Sequence, residues 1–171
     1  MRSSRKWGGC RARVVYLDEP SPRSLLRAGM VAVSSLLLSD SIRRWVCVEL
    51  LVWTETSSER RPLTLRIDGS RVRWLRADEP SLLGVLRNAI ARGGWPGIRV
   101  ETGNSISDLG GCVDAEEVLA GSVCGECILV RGQRIGLKPW WLVAATMVAY
   151  DERCLRGCGD AEDRHHSLGD S

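Results

Sequence analysis

Two neighbouring arginines, Arg43 and Arg44, follow the polar turn Ser39-Asp40-Ser41-Ile42 and precede the apolar run Trp45-Val46-Cys47-Val48-Glu49-Leu50-Leu51-Val52-Trp53. A guanidinium presents a planar fork of donors that fits phosphate oxygens two at a time. At the mouth of a buried strand such a pair can grip a polyanion; the alternative is a surface pair tied to carboxylates. A second candidate lies near the C-terminus, where Cys127-Ile128-Leu129-Val130 runs into a loop to Pro139 that holds Gly132 and Gly136. Glycine has no Cβ, so a ligand can come close to bare backbone amides there. The plainer reading is that these glycines only serve turns. The third candidate is a set of cysteines, Cys124 with Cys127 and Cys154 with Cys158, with His165 and His166 as substitutes. Two close pairs of thiolates satisfy tetrahedral zinc, while disulfides and inert buried thiols are the alternatives.

The elements that must position these groups are legible in outline. Arg13 to Leu17 is a short β-branched run ended by Asp18-Glu19-Pro20, and Ser24 to Leu38 reads as a helix. Cys47 to Thr54 is a buried strand. Leu63 to Ile67 and Arg71 to Leu75 read as a strand pair around the Asp68-Gly69 turn. Ser81 to Ala91 is a helix with Asp78, Glu79 and Pro80 in the positions preferred at its start. Ile98 to Glu101 is a strand, Ile106 to Leu109 a short turn or helix and Ala115 to Leu119 a helix. Cys127 to Val130 is a strand, and Trp140 to Leu155 the last helix, stopped by Gly157. Strands alternating with helices predict an α/β domain with a mainly parallel sheet flanked by helices.

The chain of 171 residues fits one domain, with 44% hydrophobic and 26% charged residues. No apolar run reaches the roughly 18 to 20 residues of a membrane helix, and the composition reads as cytosolic, with no membrane partner. Residues 1–10 form a basic arm without the apolar stretch of a secretory signal. Residues 11–158 form the domain, and 159–171 an acidic tail. The net charge of +3 says little, but its distribution says more: from Arg43 to Arg99 there are eleven arginines against six acidic residues.

Three blocks carry a resemblance. Leu36-Leu37-Leu38-Ser39-Asp40-Ser41-Ile42-Arg43-Arg44, the stretch Ile67 to Ile90 with its Ala77-Asp78-Glu79 turn, and Pro96-Gly97-Ile98-Arg99-Val100 lie in one order. They resemble segments of the archaeal tRNA pseudouridine-54 N1-methyltransferases, members of the SPOUT superfamily of knotted RNA methyltransferases. The resemblance implies a SPOUT-like fold, S-adenosylmethionine as methyl donor, tRNA as substrate and a homodimer. Gly132 to Gly136 and Gly136 to Pro139 resemble two separate motifs of the family's trefoil knot. Here they overlap, which implies a knot abbreviated by about one strand-to-helix connection.

By the same resemblance the donor would be held by Leu129, Val130, Gly132, Gly136, Leu137 and Pro139. RNA would be held by Arg23, Arg27, Arg43 and Arg44. Methyl transfer from a sulfonium to a ring nitrogen needs positioning and removal of one proton. Asp40 stands where the family has histidine and is the candidate base, or else a helix-end cap. Two function classes remain: a tRNA methyltransferase, and a non-catalytic RNA-binding relative or zinc-stabilised interaction module.

Overall fold

The computed structural model describes residues 10–39, 41–55, 58–73, 75–106, 108–121, 124–132 and 138–155. Asp40, Gly136, Leu137, Cys158, Gly157, His165 and His166 therefore lie outside the described residues, as do most of the basic arm and the acidic tail.

Strand β1, Ala12–Leu17, leads into helix α1, Ser24–Leu36, and strand β2, Val46–Glu55. The chain returns as β3, Arg60–Asp68, and then forms α2, Glu79–Arg92. Two short strands follow, β4, Gly94–Trp95, and β5, Ile98–Thr102. The remaining elements are β6, Cys112–Asp114, α3, Ala115–Leu119, β7, Cys127–Arg131, and α4, Pro139–Tyr150, which widens into a π-helical turn over Asp151–Leu155.

The strands form one seven-stranded sheet in the order β4-β5-β3-β2-β1-β7-β6. The α/β class is as expected, but the sheet is mixed. β2, β1, β7 and β6 run parallel, whereas β3, β5 and β4 join by antiparallel pairs. The expected strand Arg71–Leu75 does not form. β3 pairs with β2 on one side and β5 on the other, so neither edge of β3 is left for it.

The helices pack in a row, α2 beside α1, α1 beside α4 and α4 beside α3. Their apolar faces meet one side of the sheet, where Val14, Tyr16, Val48, Leu50, Ile128 and Val130 join Ala28, Val31, Leu86 and Met147 in one core. Alternation along β1 and β7 sends Val15 and Leu129 to the other side, beneath Ile106 and Leu109. Burial on both faces explains why β2 reads as an unbroken apolar run. The one charge inside its buried part, Glu49, is 1% exposed. It accepts from Arg13 Nε at 2.9 Å and Nη2 at 2.6 Å, and from Arg66 Nε at 3.0 Å. Arg66 is also paired with Glu101.

α2 starts as its sequence foretells: Asp78 caps it by accepting from Ser81 N at 3.1 Å, with Pro80 in the first turn. The Ser81 side chain, and then that backbone bond, hold the exposed Asp78 carboxyl below its usual range. Among the described residues no helix is long and apolar enough to cross a membrane.

Candidate functional site

The parallel register pairs Leu17 with Arg131, so β1 and β7 end together and release Asp18 and Gly132 side by side. Gly132 N donates to Leu17 O at 2.9 Å. A Cβ on Gly132 would lie 2.7 Å from Asp18 Oδ1 and 3.1 Å from the Tyr16 hydroxyl, so only glycine fits without displacing them. The carboxyl ends of parallel strands, where connections diverge, are the usual ligand crevice of α/β sheets. Here β1 feeds α1 toward β2, while β7 feeds α4.

Asp18 is buried, and its Oδ1 accepts from Arg27 Nη2 at 2.9 Å, Arg27 Nε at 3.3 Å and Glu19 N at 2.8 Å. Trp53 Nε1 donates to the Asp18 carbonyl at 3.1 Å, and the Trp53 backbone N–H to Ser24 Oγ at 2.9 Å, which ties the start of α1 to β2. Asp18 Oδ2 and the Tyr16 hydroxyl have no hydrogen-bond partner among the described residues, although both are buried. Orphaned buried polar atoms are rare, and in a crevice they point to a ligand. Burial, followed by the charge of Asp18 and a close side-chain approach to it that falls short of hydrogen-bond geometry, pushes the Tyr16 hydroxyl above the ordinary tyrosine range. Burial works against the Arg27 charge, but its bonds to Asp18 prevail and raise its pKa. The crevice thus offers an anionic acceptor, a neutral hydroxyl and a fixed cation beside bare backbone.

Several expected site residues gather at this end of the sheet. Arg27 helps build the crevice, and Arg23 is exposed at the N-terminal cap of α1. Leu129 and Val130 precede Gly132, but their side chains are 7% and 1% exposed on opposite faces of the sheet and their backbone is paired with β1. Pro139 is buried at the first position of α4, eight positions after Arg131, the last residue of β7.

Arg43 and Arg44 lie at the other end of α1, and thirteen residues of helix span about 20 Å. The Arg43 side chain is engaged within the fold. It is 4% exposed, donating from Nε and Nη2 to Asp151 Oδ2 at 3.1 and 2.9 Å and from Nη1 to the Ser35 carbonyl at 3.2 Å. It caps the last carbonyls of α1 and ties them to the end of α4. Arg44 is exposed and lines a separate cleft.

The zinc set is corrected by the disulfides. Cys124 is bonded to Cys154 and Cys127 to Cys112, so the sulfurs do not converge on one point. Cys10 is bonded to Cys47. Cys10, Cys47 and Asp68 bring ligand atoms within 4.8 Å of one another, but with both sulfurs in a disulfide only the carboxylate is left to ligate a metal.

Sequence reasoning read Tyr16 and Asp18 only as strand end and turn. The signal that could have found them is a Tyr-x-Asp step closing a buried strand, opposite a Gly-containing strand end. No protein-family model matches the chain, and no curated protein matches its sequence at a significant level.

Proposed function

We propose that this chain is an S-adenosylmethionine-dependent RNA methyltransferase, acting at N1 of pseudouridine in tRNA, with the donor seated where β1 and β7 end. The observation that carries the reading is the pair of orphaned polar atoms beside the bare backbone of Gly132, where a Cβ would displace Asp18 and Tyr16. These residues suit a ligand rich in hydroxyl and ammonium donors. The bound donor supplies a methyl group on a sulfonium. Asp18 Oδ2 accepts a hydrogen bond from the donor, Arg27 holds Asp18 in place, and Tyr16 closes the floor against water. The proton acceptor belongs to the candidate Asp40, outside the described residues.

Calorimetric titration of the full chain with S-adenosylmethionine tests this. Saturable binding, lost in a folded Gly132→Val variant and weakened in Tyr16→Phe, is expected. No binding at millimolar donor overturns it. A second reading, an RNA-binding relative without methyl transfer, is favoured by the link of five residues between Gly132 and Lys138, a length too short for a further strand–helix unit. Retained RNA affinity without donor binding decides for it.

The same reading gives a homodimer. α4 buries Leu142, Val143, Met147 and Tyr150, while Trp141 and Val148 remain 59% and 53% exposed on its other side, with Ala144 and Ala145 between them. A helix apolar all round belongs between two layers. Sedimentation should show a dimer that Trp141→Glu with Val148→Glu dissociates; an unchanged sedimentation coefficient refutes that seam.

A further inference from the structure

At the end of the sheet away from Gly132, two distant stretches of backbone touch. Gly69, in the turn after β3, donates its N–H to Val46 O at 3.0 Å, and a Cβ there would lie 2.4 Å from Arg43 O and 2.5 Å from Val46 O. The corner between α1 and β2 is thereby locked against the turn. Asp68 shapes that turn from within: its Oδ1 accepts from Ser70 N at 2.8 Å and Ser70 Oγ at 2.6 Å, and its carbonyl accepts from Arg71 N and Val72 N. Val72 is 6% exposed, so it anchors the segment, and the residues on either side of it, Arg71 and Arg73, are left exposed.

Between corner and turn lies a cleft of about 370 Å³, into which Arg44, Arg71 and Arg73 converge with Ser41 and Ser70. No carboxylate lines it among the described residues. Arg44 and Arg73 make no ion pair among those residues, and Arg71 has only Asp68 Oδ2, at 3.8 Å from its Nε. The contrast within the chain is sharp. Arg13, Arg27, Arg43 and Arg66, which build the fold, are each paired with a carboxylate at hydrogen-bond distance. Three cations around one concavity, two without an ion pair among the described residues and the third paired only at 3.8 Å, repel one another and are relieved by an anion between them. Guanidinium forks suit phosphate oxygens, and the wall between them is polar and concave rather than flat and apolar as a lipid surface requires.

We propose that this cleft holds the phosphodiester backbone of single-stranded RNA, contacting it through Arg44, Arg71 and Arg73. The proposal rests on the RNA reading above and adds to it an anchor about 20 Å from the crevice, estimated from the length of α1. An anchor that reads charge and not base edges holds RNA without regard to sequence. It keeps the strand on the protein while the crevice works at a distance.

The test measures binding of a short labelled single-stranded RNA to the full chain over a salt series, without methyl donor. Each phosphate contact contributes about 0.7 to the log–log salt slope for a single strand, so three contacts give about 2. Arg44→Gln with Arg71→Gln and Arg73→Gln is expected to flatten the slope by about that amount and weaken binding at least tenfold, with an unchanged melting temperature. The corresponding lysine variants should recover much of the affinity, because they keep the charge. RNA binding with unaltered slope in the glutamine variant overturns the cleft and leaves the methyltransferase reading standing. Absence of RNA binding by the wild-type chain overturns both. Tighter binding to phosphatidylserine vesicles than to RNA, lost in the same variant, overturns the proposal in favour of a membrane surface. Failure of donor binding with intact, arginine-dependent RNA binding supports the cleft alone.

Discussion

Replacing Tyr16 by Phe should stabilise the protein and weaken the ligand, two effects of opposite sign from one oxygen atom. The hydroxyl is buried without a hydrogen-bond partner among the described residues, and a buried unsatisfied polar group costs about 1–3 kcal/mol. Phe keeps the ring in the core it shares with Ala28 and Val130, and a small void offsets part of the gain. The expected net stabilisation is about 1 kcal/mol, or a melting temperature higher by about 2–4 °C at this chain length. Donor affinity should fall about 2- to 10-fold, the value of one neutral hydrogen bond. Alkaline melts add an independent check. The folded pKa lies above the unfolded value of 10.0, so the wild type keeps its full stability below that pH and loses it as pH rises beyond. Tyr16→Phe removes that loss. Thermal denaturation at neutral and alkaline pH, with calorimetric titration of S-adenosylmethionine, reads all three quantities. A lower melting temperature at neutral pH with unaltered donor affinity would refute the reasoning, because the hydroxyl would then be a satisfied structural group.

Glu49→Ala strands Arg13 and Arg66 under the sheet, and loss of one partner of a buried charge cluster should cost about 3–5 kcal/mol in chemical denaturation. The lower end is expected, since Arg66 keeps Glu101 and donates to the Ser105 carbonyl. Hydrogen bonds from Arg66 and then Ser105 hold the Glu101 carboxyl below its usual value of 4.5, so its contribution is present above that pH and is lost as pH falls below it. Glu101→Gln should flatten the acid limb of the stability curve, as acid melts followed by circular dichroism will show. Cys112→Ser with Cys127→Ser opens a loop of 15 residues and should cost about 3 kcal/mol, matched by the effect of reductant on the wild type only in part, because reductant also opens the other two bridges.

The elements with strong local signals were legible. β2 announced itself by its apolar run, and α2 by Asp78, Glu79 and Pro80. What failed was information carried by distant partners. Arg71 to Trp74 alternates in sequence as a strand does, but β5 claims the edge of β3 that it would need, and the buried residues Val72 and Leu75 are three positions apart and not two. Asp68-Gly69 is a tight turn as read, yet its glycine serves the contact with Arg43 and Val46 and not a hairpin. Arg43 looked free to meet a polyanion because its partner Asp151 is 108 residues away. β6, at three residues, and β4, at two, are too short to show a period. The glycine loop pointed to the end of the sheet where Gly132 meets Asp18 and Tyr16. The acid and hydroxyl opposite it became visible only when β1 and β7 were laid side by side.

The mooring of α4 bears on how the native state opens. A helix packed on the outside of a sheet ordinarily opens, and exchanges its amide hydrogens, sooner than the central strands. This one is fastened at its far end. Tyr150 stacks on Trp45 with ring centroids 5.9 Å apart, Asp151 grips Arg43 and Cys154 is bridged to Cys124 ahead of β7. Thr146 in its middle donates to the Ala115 carbonyl at 3.3 Å. Its amides from Leu142 to Tyr150 should therefore exchange with the slow central strands, as part of one cooperative unit with α1 and β2. Reducing the bridge would turn the same helix into an independent, early-opening segment.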